Sequence, residues 1–367
     1  MFRAPLAVLA VSAAVVTLAA GPASAHDAAA CPPAARAVGF SDNLDKLVYG
    51  GVTLGGLSSI AWDRRSGAWA STVDNHATDP SRIWFFRDPL HPSVVRDPLV
   101  LRRPDGTAYD GTTADNEGLA VLPDGDYVVS SETEPSIRIF GRDGVQKASL
   151  PVPARFAVAP AEPALSGGPG AGSSRAGQAT ANATLEGLTL VPGGRRIIAS
   201  MEGALSGDTD PTLHRFLVYD LGRHGTWSLV KQIAYRAQSG LRIPEIAAYG
   251  HDSLLVMEAA FDTVNGNSID LYAVKGLDRA PDVSGVTDLA AAPPRDVLRK
   301  SLVADLVKCP TLGAPSREPQ ANPLLDNYEG MAVVPGRRGV DTVELISDDN
   351  FSAAQFTRVL TLTARLP

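Results

Sequence analysis

The sequence lacks the motifs of several common hydrolase classes. It contains no Gly-x-Ser-x-Gly nucleophile elbow. Residues 172–176, in a low-complexity segment, come near to this motif but end in alanine where it requires glycine. It has no His-Glu-x-x-His zinc helix. Its two cysteines and six histidines form no group with zinc-ligand spacing. The sequence therefore predicts neither a nucleophile-elbow hydrolase nor a soft-metal site.

Long apolar runs and an excess of basic charge are also missing. The apolar run at residues 6–20 has 15 residues, fewer than the roughly 20 that span a bilayer. Arg3 precedes this run and Ala23-Ser24-Ala25 follows it as a cleavage signal, so residues 1–25 are predicted to be a signal peptide of a secreted protein. The formal net charge of −7 argues against a nucleic-acid partner and is compatible with binding of cations.

What the sequence does contain is one hairpin unit that recurs. The clearest copies begin at Glu117-Gly118, Glu186-Gly187 and Glu329-Gly330. In each copy an apolar run of strand type follows, then a proline, a turn, and a second strand that ends on an acidic residue. Two degenerate copies begin near Leu57 and Glu245. A strand-built repeat with a period of tens of residues is typical of a propeller or a solenoid.

The spacing of the copies favours the propeller. The steps between the anchors Leu57, Glu117, Glu186, Glu245 and Glu329 are 60, 69, 59 and 84 residues. These steps are long for a β-helix coil and suit a four-stranded blade with loops, and the last step has room for one irregular blade more. We therefore predict an all-β, six-bladed β-propeller, in preference to five or seven blades, formed by residues 26–367 as one domain. The Pro-, Ala-, Gly- and Ser-rich residues 151–182 are predicted to form a flexible loop between blades.

The two cysteines are predicted to form a disulfide. An even count in an exported protein favours pairing, and a bridge from Cys31 to Cys309 would tie the start of the mature chain to its late region and help to close a ring. The alternative is that Cys31 is a lipidated N-terminus. Its context, three alanines well beyond the apolar run, is a poor lipidation signal, so the disulfide is favoured.

The acidic residues of the repeat are predicted to meet at one mouth of the channel, because the first strand of each blade lines the axis and the return strand comes back to the same end. Like charges at close range raise each other's pKa, and Ca²⁺, which takes 6–8 oxygen ligands, relieves the repulsion. The alternative is that a Glu before Gly only accepts backbone N–H groups. The predicted metal ligands are Asp74, Glu117, Glu132, Glu186, Glu202, Glu245, Glu258, Glu329, Asp348 and Asp349.

Four units also carry an arginine on their third strand. Guanidinium groups bind carboxylate or phosphate in a bidentate manner. Each arginine is therefore predicted either to neutralise an acid of its own blade or to join calcium in binding a phosphoester. His76, near Asp74 at the predicted mouth, is a candidate acid/base, although a lone loop histidine is more often solvated. The four arginines are Arg82, Arg138, Arg215 and Arg358.

Several segments resemble the phytase-like domain of exported bacterial proteins, often labelled "esterase-like activity of phytase". These are Asp-Asn-Glu-Gly-Leu at residues 115–119, Leu-Glu-Gly-Leu at 185–188, Pro-Thr-x-x-Arg-Phe at 211–216 and Tyr-Glu-Gly-Met at 328–331. The resemblance extends over residues 57–362. Residues 79–84 and 267–272 are also loosely similar to signature segments of the calcium-dependent β-propeller phytases, which are six-bladed enzymes with calcium at one channel mouth.

The resemblance implies a calcium-dependent phosphoesterase acting on a small-molecule phosphoester. Two other functions stay open on the sequence. One is a non-catalytic extracellular binding propeller in which calcium is structural, and the other is a calcium-dependent hydrolase of carboxylic esters or lactones. In each case we expect a secreted protein without a membrane span or nucleic-acid partner, and we expect it to be a monomer.

Overall fold

The computed structural model describes Met1 and residues 29–74, 76–159 and 177–367. Apart from Met1, the predicted signal peptide at residues 1–25 lies outside these residues. Residues 160–176 of the predicted flexible loop also lie outside them. Within the described part of the chain no helix is both long enough and apolar enough to cross a membrane.

The described residues form strands and short 3-10 helices. The strands before the first complete hairpin unit are β1 (Ala30–Cys31), β2 (Ala35–Ser41), β3 (Val48–Tyr49) and β4 (Val52–Thr53). The strands of blades 1 and 2 are β5 (Ala61–Asp63), β6 (Ala68–Thr72), β7 (Arg82–Arg87), β8 (Ser93–Val94), β9 (Leu99–Val100), β10 (Asn116–Val121), β11 (Tyr127–Ser131), β12 (Ser136–Phe140) and β13 (Gln146–Leu150).

The later strands complete three more blades. Those of blades 3 and 4 are β14 (Leu185–Leu190), β15 (Arg196–Met201), β16 (Leu213–Leu221), β17 (Trp227–Arg236), β18 (Arg242–Gly250), β19 (Ser253–Asp262), β20 (Gly266–Lys275) and β21 (Lys300–Asp305). Those of blade 5 are β22 (Tyr328–Val334), β23 (Asp341–Ser347) and β24 (Val359–Ala364). The 3-10 helices are Ala154–Phe156, Leu289–Ala291, Pro294–Asp296, Leu306–Lys308 and Arg337–Gly339.

These sheets form a closed propeller of five antiparallel blades. The innermost strands β5, β10, β14, β18 and β22 pack against one another in this order, and β22 packs against β5. The faces between blades are apolar. Between blades 4 and 5, for example, Leu255 and Leu271 share a core with Leu345 and Leu360. Because both faces of a blade are covered, its strands are mostly continuous apolar runs.

The prediction of six blades is therefore wrong. The 84-residue step conceals no sixth blade, because residues 276–299 cover blade 3 instead of forming a sheet. Val283 and Leu289 pack against Leu213 and Ala234 of that blade, and the Val283 N–H bonds to the Gln232 carbonyl. The strand that follows, β21, pairs with β20 and completes blade 4.

The N-terminal part of the chain closes the ring. Strand β2 pairs with β24 and adds a further strand to blade 5, and β1 pairs with β2. The predicted disulfide between Cys31 and Cys309 is confirmed. Cys309 follows the helix Leu306–Lys308 at the end of blade 4, so the bridge fastens the closing strands to the neighbouring blade.

Each Glu-Gly pair occupies a β-bulge in an innermost strand. The pairing register shifts between Asn116 and Leu119 in β10, and equivalent shifts occur in β14 and β22. A Cβ atom on Gly118 would lie 2.6 Å from the Glu186 carbonyl oxygen, and one on Gly330 would lie 2.6 Å from the Ser59 carbonyl carbon. Only glycine permits this approach of one blade to the next. A bulge also redirects the side chain beside it, here the glutamate.

Loss of the disulfide should destabilise the propeller. The variant Cys31→Ser with Cys309→Ser should lose roughly 2–5 kcal/mol of unfolding free energy, because the bridge spans a sequence separation of 278 residues and holds the closing strands. Guanidinium unfolding of the mature protein measures this loss. Reduced wild-type protein should match the double variant, and equal stability of the oxidised and reduced wild type would contradict the closing role.

Candidate functional site

Eight carboxylates line one cavity of about 570 Å³ at a mouth of the channel, here called the acidic funnel. Its wall also contains His76, Asn182, Arg242, Asn350 and Phe351. The carboxylates are those of Asp74, Asp115, Glu117, Glu132, Glu186, Glu202, Glu329 and Asp348.

The repeat explains where most of these acids come from. Glu117, Glu186 and Glu329 stand at the bulges of β10, β14 and β22. Four others follow the second strand of their blade, and these are Asp74, Glu132, Glu202 and Asp348. The structure thus brings together seven of the ten predicted metal ligands.

Asp115 is the eighth acid, and the sequence reasoning missed it. The sequence feature that could have identified it is its position two residues before Glu117, because residues two apart in extended chain point to the same side. Its backbone N–H bonds to Ser131 Oγ at 3.1 Å, and its carboxylate accepts from Thr133 Oγ1 at 3.3 Å.

Six of the eight acids form two groups of three. Asp74, Asp115 and Glu117 form one group, and Glu132, Glu186 and Glu202 form the other. In each group one oxygen from every residue lies within 4.8 Å of the others. Oxygens on opposite sides of one Ca²⁺ are about 4.8 Å apart, since each lies about 2.4 Å from the ion. Each group therefore has the span of a shared calcium coordination shell.

Burial and mutual repulsion raise the pKa values in the funnel. Burial is the main cause for Asp74, whose pKa is raised to about 11, and a hydrogen bond and repulsion from Asp115 add to it. Burial likewise raises the pKa of Glu132 to about 8, with repulsion from Glu202. The pKa values of Glu117 and Glu186 lie well above the ordinary value for the same two reasons. Each of these shifts favours the protonated, uncharged form of the carboxyl group.

Among the described residues of the funnel wall, Arg242 is the one with a permanent positive charge. Its Nη1 donates to Glu202 Oε1 at 2.9 Å and its Nη2 to Glu329 Oε1 at 3.1 Å. Burial lowers its pKa, but the charges of Glu329 and Glu202 outweigh this and the net shift is upward. Sequence reasoning missed Arg242, which lies at the start of β18 in a degenerate copy of the repeat.

Three predicted ligands lie outside the funnel wall. Glu245, which precedes Ile246 and not a glycine, accepts from the backbone N–H groups of Leu188 and Ile246 at 2.8 and 2.9 Å. Glu258 binds Lys300 and the Tyr235 hydroxyl between blades 3 and 4. Asp349 binds Lys46, the Gly56 N–H and the Thr357 hydroxyl.

The four third-strand arginines also lie outside the funnel wall. Arg215 pairs with Asp208 and with the Val283 and Val286 carbonyls. Arg358 pairs with Asp42 and the carbonyls of Pro315, Pro323 and Leu324. Arg82 donates to the Pro80 carbonyl at 2.8 Å, and Arg138 donates to Glu134 at 2.9 Å. Arg215 and Arg358 thus neutralise acids within the fold, although not the repeat acids that the sequence suggested.

His76 lies at the rim of the funnel, as expected. Its Nδ1 is 3.0 Å from Asp79 Oδ2, and its ring stacks on Phe351 with a centroid separation of 3.9 Å. Two side chains therefore fix the orientation of this imidazole.

The raised pKa values predict how the metal-free protein responds to pH. A carboxyl whose folded pKa exceeds its unfolded pKa binds more protons in the folded state, so the unfolding free energy falls as pH rises between the two values. For Glu132 this window runs from 4.5 to about 8. At about pH 9 the metal-free variant Glu132→Gln should have a larger unfolding free energy than the wild type, by at least about 1 kcal/mol. This lower bound is cautious, because a pKa shift of one unit alone corresponds to about 1.4 kcal/mol. Urea unfolding in chelator-treated buffer measures the difference.

A matched control is available two residues away. Glu134, whose side chain is 76% exposed, pairs with Arg138 outside the funnel. At about pH 9, Glu134→Gln should change the unfolding free energy by less than about 1 kcal/mol, because water screens the exposed carboxylate of Glu134. Lower stability of Glu132→Gln at about pH 9 would show that the carboxylate of Glu132 is stabilised in the metal-free fold.

Solved structures with low sequence identity are similar to the chain. A PQQ-bound aldose sugar dehydrogenase from Streptomyces coelicolor is 13% identical, with a TM-score of 0.36 and coverage of 84% of this chain and 79% of that chain. A virginiamycin B lyase from Staphylococcus aureus is 11% identical, with a TM-score of 0.34 and coverage of 86% and 82%. An α-L-arabinofuranosidase from Lactobacillus brevis is 11% identical, with a TM-score of 0.41 and coverage of 84% and 91%.

These similarities carry no inference about activity, and no curated protein matches the chain. The family comparison is more informative. The family model described as "Phytase-like: Esterase-like activity of phytase" matches residues 52–351, which include the innermost strands of all five blades and all eight acids of the funnel. The chain therefore belongs to the phytase-like family.

Proposed function

We propose that the protein is a secreted, calcium-dependent phosphoesterase whose active centre is the acidic funnel. The observation that carries the proposal is the pair of three-carboxylate groups in one open cavity. Secretion is supported by the predicted signal peptide and by the disulfide, since disulfides persist in oxidising compartments. We further propose that the protein acts as a monomer on a small molecule and binds no nucleic acid, in keeping with its acidic charge.

The donors of the funnel fit calcium. Both groups offer only carboxylate oxygens, the hard ligands that Ca²⁺ prefers, and neither contains histidine or cysteine. Burial and mutual repulsion raise the pKa values of Asp74, Glu117 and Glu186, and a cation bound among them would relieve that repulsion. We therefore assign one ion to Asp74, Asp115 and Glu117, and a second to Glu132, Glu186 and Glu202.

Bound calcium would polarise the phosphoryl group and make a water molecule more acidic. The chain supplies the remaining functions. Arg242 takes the role first assigned to the third-strand arginines, because its guanidinium lies in the funnel wall and can stabilise charge on substrate oxygens. The amides of Asn182 and Asn350 in the same wall can orient those oxygens. His76, held by Asp79 and Phe351, stays the candidate for proton transfer at the rim.

A carboxylic ester or lactone is the second candidate substrate. The observation that favours it is the position of Arg82, Arg138, Arg215 and Arg358 outside the funnel. Among the described residues of the funnel wall, Arg242 alone would join calcium in balancing the charge of a phosphoester, whereas a neutral ester brings no charge that further cations would have to balance. The family description names both an esterase-like activity and a phytase.

Calcium binding should depend on one glutamate in each group. The variant Glu117→Gln with Glu186→Gln keeps the size of both side chains but removes one carboxylate from each group. It should bind calcium at least about tenfold more weakly, a loss of about 1.4 kcal/mol or more. Calorimetric calcium titration of the mature protein, with phosphate release from p-nitrophenyl phosphate and phytate, measures both binding and turnover.

Glu344→Gln is the matched control. Glu344 is a buried glutamate of β23 that accepts from Thr361 Oγ1 at 2.6 Å and is not part of the funnel wall. Its substitution should leave calcium affinity and turnover unchanged. Calcium-dependent hydrolysis of carboxylic esters but not of phosphoesters would select the second candidate. Calcium binding without turnover of either class would indicate a binding propeller, and unchanged calcium affinity of the double variant would contradict the assignment of the ions.

A further inference from the structure

A second polar cavity, of about 610 Å³, lies on blade 2. It is bounded by the connection before β10 and by β12 and β13, and its wall includes Arg103, Tyr109, Arg138 and Ser149. We call it the blade-2 pocket. Among the described residues, none of those in its wall also lines the acidic funnel. It is therefore a second cavity, joined to the funnel by the hydrogen bond from Thr133 in its wall to Asp115, and the inference drawn from it does not rest on the proposed function.

Arg138 reaches this pocket as a buried cation with few partners. Its side chain is only 7% exposed. Within the described part of the chain its hydrogen-bond acceptor is Glu134 Oε2, which leaves Nε and Nη1 without one there. The Glu134 side chain is 76% exposed, so water screens this ion pair strongly. Neither nitrogen is among the fully buried unpartnered atoms of the described residues, so both reach the pocket and remain available to a ligand.

Arg103 brings a second positive charge to the same place. Its guanidinium carbon lies 4.4 Å from the centre of the Tyr109 ring, and that of Arg138 lies 4.9 Å from it. The nearby acids do not cancel this charge by direct pairing. Asp105 accepts from Thr107, and Asp110 accepts from Thr112 and Thr113. Arg103 Nη1 also donates to the Ala108 carbonyl at 2.6 Å. A bound anion would supply acceptors and negative charge to both guanidinium groups.

Hydroxyl groups complete the wall. Thr112, Thr113, Thr133, Ser136 and Ser149 line the pocket together with the two arginines. The Oγ of Ser136 is buried and has no hydrogen-bond partner among the residues that the structure describes. Buried hydroxyls rarely remain unpaired, so this group also points to a ligand that accepts hydrogen bonds.

We propose that the blade-2 pocket binds a small oxyanion group, of phosphate, sulfate or carboxylate type, between Arg103 and Arg138. Guanidinium donors match the oxygens of such groups. The hydroxyls of Thr112, Thr113 and Thr133 already donate to Asp110 and Asp115, so the further donors are those of Ser136 and Ser149. The site stands out because the chain has a net charge of −7, whereas this wall contains two arginines and one exposed glutamate.

The test uses the metal-free, full-length mature protein, so that calcium in the acidic funnel cannot account for anion binding, and the variants at Arg103 and Arg138 separate the blade-2 pocket from Arg242 of the funnel. Sulfate, phosphate and acetate are titrated separately, with sodium chloride holding the ionic strength constant, and thermal stability and binding heat are recorded. We expect saturable stabilisation by at least one of the three anions. Arg138→Gln and Arg103→Gln should each weaken that binding at least about tenfold, since each removes a charged donor. The anion that binds most tightly then identifies the type of oxyanion.

Arg87→Gln is the control, because Arg87 also stands on a third strand but is exposed and bonds to the Gly67 carbonyl of blade 1. It should leave anion affinity unchanged. If the buried Arg138 variant fails to fold, the half-buried Arg103 variant decides the question. Absence of saturable stabilisation by all three anions would overturn the proposal, as would binding that persists in Arg103→Gln or weakens equally in Arg87→Gln.

Discussion

The close contact of neighbouring blades at the Glu-Gly bulges is the constraint on which the structure depends. Gly118, Gly187 and Gly330 leave no room for a Cβ atom, because the backbone of the next blade lies within 3 Å of where it would stand. This contact draws the innermost strands to the axis and presents the glutamate of each bulge at one mouth. The same device thus builds the ring and concentrates negative charge, so the stability of the fold and the properties of the funnel are linked.

That concentration of charge is unfavourable in the fold alone. Burial and repulsion raise the pKa values of Asp74, Glu117 and Glu186, and Arg242 bonds to Glu202 and Glu329. The ring must therefore be held by other interactions. These are the apolar faces between the blades, the strand β2 that adds to blade 5, and the disulfide that fastens the neighbouring strand β1 to the end of blade 4. A cation that binds the funnel would convert its repulsion into a favourable interaction.

The sequence was most informative where a residue's place follows from the repeat. Equivalent positions converge in a propeller, so the repeat identified the fold and seven of the eight acids. Blade number was not predictable, because residues 276–299 carry apolar residues that cover blade 3 and do not form strands. The third-strand arginines were misplaced because a third strand lies two strand spacings, roughly 10 Å, from the first. Arg242 was missed because it reaches the funnel from a copy that lacks the Glu-Gly pair.

The most direct test of the metal-binding role of the bulges is a crystal structure of the mature protein grown with calcium, with terbium replacing calcium in a second crystal. Anomalous scattering then locates the ions without reference to the protein atoms. We expect one peak among Asp74, Asp115 and Glu117 and a second among Glu132, Glu186 and Glu202. A funnel without an anomalous peak in crystals that bind terbium elsewhere would contradict this role. The negative charge of the acids would then be balanced by Arg242 and by protonation.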